Sequence, residues 1–278
     1  MRRASIVFMC AVAGLAATAD SSSQQKPRAD TQVPEVRHAI EFAGIGRTQV
    51  HAATETSFTF GSGSAPFLLD WIKDFINATP SRRSGYVFSI SPRDEPTSQT
   101  FFSRAAVAEV ALPPLDVASR DPLLVTLKFR AEKLEPQPLA GTVPLPRRDY
   151  EGANRKWPAS GFRLRIDGVE ATRVTRVEEL VFRQSPTTAP ILPRLVVTLA
   201  ESDAGALSQW HEAIVGKRQN GGPRIATLEL LGADGRKPYM TLRFDGVVIT
   251  KMESVGAAPA RRVRVEMTPA KAQLSLAK

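Results

Sequence analysis

The alternation of apolar and polar residues follows the two-residue period of a β-strand along most of this chain. Strands are predicted over residues 38–42, 54–60, 86–90, 100–110, 124–130, 162–166, 172–182, 195–199, 225–231, 240–250 and 263–267. Turn residues separate them, including Gly44 and Gly46 after the first stretch and Asp167 and Gly168 after the sixth. The pattern therefore predicts a mainly β fold in which helices are the minority.

Two stretches follow the period of a helix instead, and each has a tryptophan in its apolar stripe. The first, over residues 65–78, has the stripe Phe67, Leu68, Trp71, Ile72, Phe75 and Ile76. The second follows a predicted cap at Ser202 or Asp203 and has the stripe Leu207, Trp210 and Ile214. Because both tryptophans belong to apolar stripes, core packing is favoured over a ligand-stacking role for Trp71 and Trp210.

The same order of elements occurs twice: strands, a helix, a hairpin and a closing strand. The halves align with Trp71 on Trp210 and Thr59 on Thr198 at an offset of 139, Val125 on Val263 and Lys133 on Lys271 at 138, and Gly44 on Gly168 at 124. The second half therefore has 139 − 124 = 15 additional residues between its first hairpin and its third strand. We interpret the pattern as an internal duplication, with two unrelated α+β domains as the alternative.

Composition divides the chain into five predicted segments. Residues 1–19 have a short basic start, an apolar stretch and small residues at 17–19, the features of a cleaved signal peptide. Residues 20–36 are polar and predict a flexible leader. The proline-rich residues 135–160 predict a linker between a first domain, residues 37–134, and a second, residues 161–278. Export to the periplasm, the cell surface or the medium is expected, and the alternative is an over-predicted start codon or a merely apolar N-terminus.

Charge and cysteine content limit the chemistry of the chain. The formal net charge is +9, and loss of Arg2 and Arg3 with the signal peptide leaves +7. The basic residues are scattered, which favours a solubilising surface over a face for nucleic acid, lipopolysaccharide or an acidic partner. The one cysteine, Cys10, lies in the predicted signal peptide, where its surroundings fit a lipoprotein signal poorly. The mature chain is thus expected to have neither disulfides nor thiol chemistry.

No catalytic residue, cofactor-binding residue or metal ligand is predicted from the sequence, and no cofactor. The histidines His38, His51 and His211 lack the spacing of a metal-binding motif. The residues 61–64 precede a helix but lack the Lys-Ser/Thr of a phosphate loop, so a turn is favoured. For the acidic residues a solvated surface is favoured over acid–base chemistry; these are Asp70 and Asp74, one helical turn apart, and Asp167. We therefore expect that the protein is not an enzyme.

Residues 160–275 resemble phage tail tube proteins, and residues 37–134 resemble them more weakly. The resemblance is carried by the segments Phe162–Val169, Leu195–Leu199, Leu207–Trp210, Leu228–Gly235 and Val263–Met267. This family shares its fold with the haemolysin-coregulated protein that forms the tube of type VI secretion. The resemblance implies a β-sandwich or barrel with one flanking helix per unit, and self-association into rings, typically of six subunits, through edge-joined sheets.

Two features differ from the family. Ordinary tail tube proteins are single units, so a double unit would need three copies for a six-fold-like ring, and they are usually cytoplasmic before assembly. The expected function is an exported structural protein that self-associates into rings or tubes, with other envelope or tail-like components as further partners. An exported β-sandwich module that binds a polysaccharide or an anionic envelope component is the alternative, and a hydrolase is a third class. Exposed sheet edges are the predicted assembly surface.

Overall fold

The computed structural model of the protein describes residues 37–61, 66–79, 81–93, 95–139, 157–169, 173–185, 189–232, 234–257 and 260–277. These residues form many β-strands and two α-helices, so the predicted mainly β fold with a helix in each half is confirmed. The predicted signal peptide and leader lie outside the described residues, as does most of the predicted linker. Neither helix is long and apolar enough to cross a membrane, within the part of the chain that is described.

The first half contributes one helix and nine strands to the described part. The elements are β1 (Arg37–Phe42), β2 (Gly46–Val50), β3 (Ala52–Ala53), β4 (Ser57–Gly61), α1 (Pro66–Ile76), β5 (Arg83–Ile90), β6 (Pro96–Leu112), β7 (Leu115–Asp116), β8 (Leu124–Arg130) and β9 (Lys133–Gln137). The last of these takes in the first residues of the segment predicted to be a linker.

The second half contributes the remaining elements of the described part. These are β10 (Phe162–Ile166), β11 (Val174–Val177), β12 (Leu180–Arg183), β13 (Leu195–Ala200), α2 (Gly205–Val215), β14 (Arg224–Leu231), β15 (Pro238–Val255), β16 (Arg262–Thr268) and β17 (Lys271–Leu276). Short 3₁₀ turns, Glu201–Asp203 and Gln219–Gly221, precede and follow α2.

Two long strands, β6 and β15, each belong to two sheets. The first part of β6 lies between β5 and β9, and its last part lies between β8 and β12. Likewise, β15 pairs first with β14 and β17 and then with β16. Arg104 and Gly246 have positive φ angles, 46° and 67°, at the points where the strands change partners. A left-handed residue at each point lets one strand leave the first sheet and enter the second.

All described strand pairs are antiparallel, and β6 and β15 each connect two sheets. In the first half the strand orders are β2-β1-β5-β6-β9 and β12-β6-β8-β4-β3. In the second half they are β10-β14-β15-β17 and β15-β16-β13-β11-β7. One of these strands in each half, β7 in the first and β12 in the second, therefore pairs with a sheet of the other half.

The two tryptophans lie where the helical stripes predicted them. Trp71 is fully buried and makes edge-to-face contact with Phe42, with ring centroids 5.0 Å apart. Its Nε1 donates a hydrogen bond to the carbonyl of Ser81, as Trp210 Nε1 does to Gly222. Burial of a large ring with its one polar atom satisfied is typical of a core anchor. The prediction that Trp71 and Trp210 pack in the core is confirmed.

Residues 173–182 do not form the single returning strand that alternation predicted over residues 172–182. They form β11 and β12, which pair with strands of different sheets, and Glu178 and Glu179 lie between them. Alternation reports which side chains share a face, and it does not report which strand lies alongside. The prediction of one strand that returns from the turn at Asp167 and Gly168 was therefore wrong. The structure has two strands there, of which β11 pairs with β13 and β7, and β12 pairs with β6.

The predicted helix cap at Ser202 or Asp203 is also wrong. These residues lie in the 3₁₀ turn, Ala204 precedes α2, and no side chain caps the helix. Asp203 Oδ1 instead accepts a hydrogen bond from Arg173 at 3.2 Å. The closing strand predicted at residues 263–267 is followed by another strand, β17, which pairs back onto β15.

Candidate assembly surface

An antiparallel seam joins the two halves of the chain. On one side it consists of the end of β6 followed by β7, and on the other side of β11 followed by β12. Val110 pairs with Phe182 and Leu112 with Leu180 in one sheet, and the two strands then pair again in the next sheet, through Leu115 with Val177 and Asp116 with Arg176. Between the two sheets, each side of the seam has a connection of two residues, which we call the step of the seam. It consists of Pro113 and Pro114 on one side and of Glu178 and Glu179 on the other.

The seam is apolar in its middle and ionic at its ends. Leu112, Leu115, Val177, Leu180 and Phe182 are all buried. Arg183 Nε lies 3.0 Å from a Glu109 carboxylate oxygen at one end, and Arg176 lies 3.5 Å from Asp116 at the other. The pKa of Glu109 is held below its ordinary value, first by a hydrogen bond from Lys128 and also by Arg183. This arrangement fixes the register of the two strands, because a shift by one residue would turn the apolar side chains outward.

The seam makes one continuous run of paired strands from the two halves. Its order is β3-β4-β8, then β6 with β7, then β12 with β11, and then β13-β16-β15. In the described chain, no strand pairs with the outer side of β3 or with the outer side of β15 over residues 248–255. Val255 is the exposed apolar residue at that end of β15. The run therefore has two open edges, which are the kind of surface predicted for assembly.

A second contact between the halves covers a sheet edge with a helix. Asn77, directly after α1, donates from Nδ2 to the carbonyl of Leu274 at 3.0 Å and accepts at Oδ1 from the Leu274 N–H at 2.7 Å. Leu274 lies in β17, whose other side is paired with β15. The side-chain amide thus takes the hydrogen-bonding place of a further strand on this edge.

A cluster of charges lies on the face of the second-half sheet. Arg264 on β16 binds Glu178 in two hydrogen bonds of 2.7 and 3.1 Å, and it also binds Glu253 and Glu266. The pKa of Arg264 is raised, mainly by the hydrogen bonds to Glu178 and Glu266. The pKa of Glu266 is lowered chiefly by Arg264, and that of Glu253 is lowered chiefly by a hydrogen bond from Lys251. The cluster connects the step of the seam, at Glu178, to the strand at the open edge.

We expect acid to weaken this cluster, with a measurable effect on thermal stability. A carboxyl whose pKa is lowered by folding stabilises the folded state above its ordinary pKa, and that stabilisation is lost as the pH falls through the lowered value. For Glu253 and Glu266 the loss therefore begins below pH 4.5, the ordinary glutamate pKa. Melting temperatures from pH 7 to pH 3 should fall less steeply below pH 4.5 in a Glu266→Gln variant than in the wild type.

The matched control is Glu55→Gln, which removes the same charge from an exposed turn before β4. This variant should keep the wild-type slope. Equal slopes for Glu266→Gln and the wild type would contradict a role of the cluster in acid sensitivity.

The residues weighed in the sequence as chemical candidates are not brought together. His38 lies in β1, where burial lowers its pKa, while His51 follows β2 and His211 lies on α2. The described residues contain no group of three or more side chains arranged to hold a metal ion.

The predicted acidic and glycine candidates have separate local partners. Asp70 pairs with Lys73, and Asp74 lies 3.5 Å from Arg83. The carbonyl of Asp167, in the turn after β10, accepts a hydrogen bond from Arg224 at 2.8 Å. Gly61 ends β4, and residues 62–64 lie outside the described part.

A cleft of about 660 Å³ opens beside the seam. Its basic lining consists of Lys128, Arg130 and Arg183, and Glu109 is the one acidic residue among those that line it. Glu109 already binds Lys128 at 2.8 Å as well as Arg183. Scattered basic residues along the sequence are therefore gathered here into a local surplus of positive charge, which the sequence pattern did not indicate.

Comparison with known proteins gives partial structural matches. Hcp1 of Salmonella typhimurium is 15% identical with a TM-score of 0.32, covering 42% of this chain and 86% of Hcp1. A type VI secretion system effector of Yersinia pestis is 13% identical with a TM-score of 0.27, covering 41% of this chain and 96% of the effector. A protein described as a type six secretion system protein is 16% identical with a TM-score of 0.30, and the match covers 41% of this chain and 81% of that protein's chain.

No protein-family model matches the sequence, and no curated protein matches it at a significant level.

Several parts of this surface were missed in the sequence. Neither β9 nor β17 was predicted, although Lys133 and Lys271, which begin them, aligned at an offset of 138. The 15 additional residues predicted for the second half were a usable signal, because the segment between Val177 and Val197 contains β12, which pairs with β6 across the seam. In a predicted repeat, residues that only one half has indicate a segment with a structural role of its own.

Proposed function

We propose that this chain is a non-enzymatic, exported structural protein that consists of two tail-tube-like units, residues 37–134 and 161–278, and self-associates. The observation that carries the proposal is the seam: within one chain, the edge of one unit's sheet is already extended by the sheet of the next. A protein whose units join edge to edge and leave two open edges at the ends is suited to further joining of the same kind.

The strand pairing supports an internal duplication. β1, β5, β6, β8, β4 and β3 follow one another across the first half, and β10, β14, β15, β16, β13 and β11 do so in the second. β9 is added to β6 as β17 is added to β15. Two unrelated domains are not expected to share this strand order together with the additional strands β9 and β17.

Local irregularities recur at the same places and give independent support. The pairing of β6 with β8 shifts register between Val107 and Glu109, and that of β15 with β16 shifts between Ile249 and Lys251. Positive φ angles occur at Ala78 and Lys217, 139 positions apart, and at Gly44 and Gly168, 124 positions apart. Neither kind of irregularity is required by alternation alone, so a common origin of the halves accounts for them economically.

Assembly follows from joining the open edge of β15 in one copy to the β3 edge of the next. Such a contact is head-to-tail, and it closes into a ring when the rotation per copy allows it. Three copies would supply six units, as expected from the resemblance to tail tube proteins. The predicted signal peptide supports export, and other envelope or tail-like components are then further partners.

The test is the oligomeric state of the mature chain, residues 20–278. Size-exclusion chromatography with light scattering should give a trimer or a multiple of it, and negative-stain microscopy should show rings or tubes. A monomer over a wide range of concentrations, with no rings on the grid, would rule out the proposal.

The basic cleft favours one alternative, an exported module that binds an anionic envelope polymer. In that case a monomeric protein would bind such a polymer with a steep dependence on salt, since phosphate or carboxylate contacts release counterions. Replacing Arg130 with alanine would weaken the binding, and Arg236→Ala, in an exposed turn between β14 and β15, is a control of the same charge.

A further inference from the structure

The helix α1 is buried on a wider face than α2. In α1 the additional face consists of Leu69, Ile72 and Ile76, all buried. This helix packs on β17 of the second half, where Asn77 holds Leu274 by both backbone groups. The residues of α2 at an offset of 139 are Ser208, His211 and Val215.

The last of these residues shows the difference most clearly. Ile76 is 2% exposed, whereas Val215 is 70% exposed, the largest value among the exposed apolar side chains of the described residues. The next residue, equivalent to Asn77, is Gly216, which has no side chain to hold a strand. The end of α2 therefore presents an apolar residue where the end of α1 has a buried contact.

The strand equivalent to β17 is β9, at an offset of 138. Leu274 lies opposite Leu242 in β15, and its counterpart Pro136 lies opposite Thr100 in β6. Because both backbone groups of Leu274 face away from β15 towards Asn77, the ring nitrogen of Pro136 faces away from β6. In the described chain, no strand pairs with this outer side of β9.

Gly216 lacks the side chain, and Pro136 lacks the backbone N–H, that the contact between Asn77 and Leu274 uses. The side-chain amide oxygen of Asn77 satisfies the N–H of Leu274, whereas Pro136 has no N–H to satisfy and Gly216 has no side-chain amide. Proline on an edge also prevents the addition of a further strand. The outer side of β9 is thus suited to an apolar helix end and unsuited to a strand.

We propose that the end of α2 in one copy docks on the outer edge of β9 in a second copy, as α1 docks on β17 within the chain. This inference rests on the proposed self-association and names a contact within it. Within one chain, α1 already covers the edge of β17, and Val215 at the end of α2 stays exposed. The α2 end that covers β9 is therefore taken to come from a second copy. The direction agrees with a head-to-tail joining of β15 to β3, since in the seam the unit that supplies the β6 edge also supplies the helix.

Thiol cross-linking tests the contact directly. In the mature chain, residues 20–278, which does not contain Cys10, the double variant Gly216→Cys with Pro136→Cys should be cross-linked between chains by a short bismaleimide. Mixing two single variants should give the same cross-linked dimer, which excludes a link within one chain. A double variant of Gly216→Cys with Gln49→Cys, on the edge strand β2, is the control and should stay uncrosslinked between chains.

A charge at the contact tests its contribution to association. Val215→Asp should weaken self-association about tenfold or more, because it places a carboxylate in an apolar contact. Ile45→Asp, at a side chain that is 52% exposed in the turn between β1 and β2, should leave it unchanged. The melting temperature of each monomeric variant shows that it is folded.

The outcomes separate this contact from self-association itself. Oligomers in the wild type with loss in Val215→Asp and interchain cross-links support the proposal. Oligomers that persist in Val215→Asp, without cross-links, overturn the contact and leave self-association standing. A wild type that is monomeric throughout overturns both.

Discussion

Replacing Trp71 with alanine is expected to lower the free energy of unfolding by about 3–5 kcal/mol, the range for removing a large aromatic side chain from a packed core. Trp71 is fully buried, and its ring lies against the rings of Phe42 and Phe129 with centroids 5.0 and 6.1 Å away. Alanine would leave a cavity between α1 and the first-half sheets, and the carbonyl of Ser81 would lose its hydrogen bond from the indole. Urea unfolding followed by circular dichroism measures the change.

Trp71→Phe is the matched control, since it keeps a ring in the cavity and loses the indole nitrogen. It should cost clearly less than alanine. Trp210→Ala should also destabilise the protein, because Trp210 is almost as buried and the guanidinium of Arg224 lies 5.2 Å from its ring centroid. A loss below about 1 kcal/mol for Trp71→Ala, the size of an average substitution, would contradict its role as a core anchor.

Replacing Gly85 with alanine is expected to destabilise the protein by about 3 kcal/mol or more, in the upper range for overpacking. A Cβ atom at this position would lie 1.8 Å from the backbone oxygen of Glu41 and 3.1 Å from Phe102 Cζ. Gly85 pairs with Phe42 of β1, so β1 would have to move away from β5 to admit even one methyl group. The backbone oxygen cannot turn aside as the end of a flexible side chain can.

Gly205→Ala is the matched control, because a Cβ there meets no heavy atom within 4 Å. Gly205 begins α2, where alanine has the higher helix propensity, so the variant should be as stable as the wild type or slightly more stable. Urea midpoints for the two variants provide the comparison. A Gly85→Ala protein with the wild-type midpoint would show that β1 and β5 can separate without cost.

The sequence carried enough information to predict elements and too little to predict partners. The apolar stripes around Trp71 and Trp210 identified both helices, because helical period is a property of a single segment. The close approach of β1 at Gly85 was not predictable. Ala226, which lies between β10 and β15 as Gly85 lies between β1 and β6, does have a Cβ. Such distances depend on two strands that are far apart in the chain.

The candidate surface shows the same limit. Pro136 indicated a linker in the sequence because proline is common in linkers, yet it lies in β9 on an edge that tolerates a missing N–H. Asn77 lay in the last turn of the helix predicted over residues 65–78, whereas in the structure it follows α1 and its two hydrogen bonds to Leu274 join positions 197 residues apart. Only the repeat offset, which relates Asn77 to Gly216 and Leu274 to Pro136, makes these residues informative together.

The seam between β6 and β12 also affects the concentration at which a ring could form. A contact inside one chain has a high effective concentration that is set by chain connectivity and unaffected by dilution. A ring of six separate units depends on the sixth power of the free subunit concentration, whereas a ring of three double units depends on the third power. Dilution would therefore break up a ring of single units at a higher concentration than a ring of double units, in which every second contact lies within one chain.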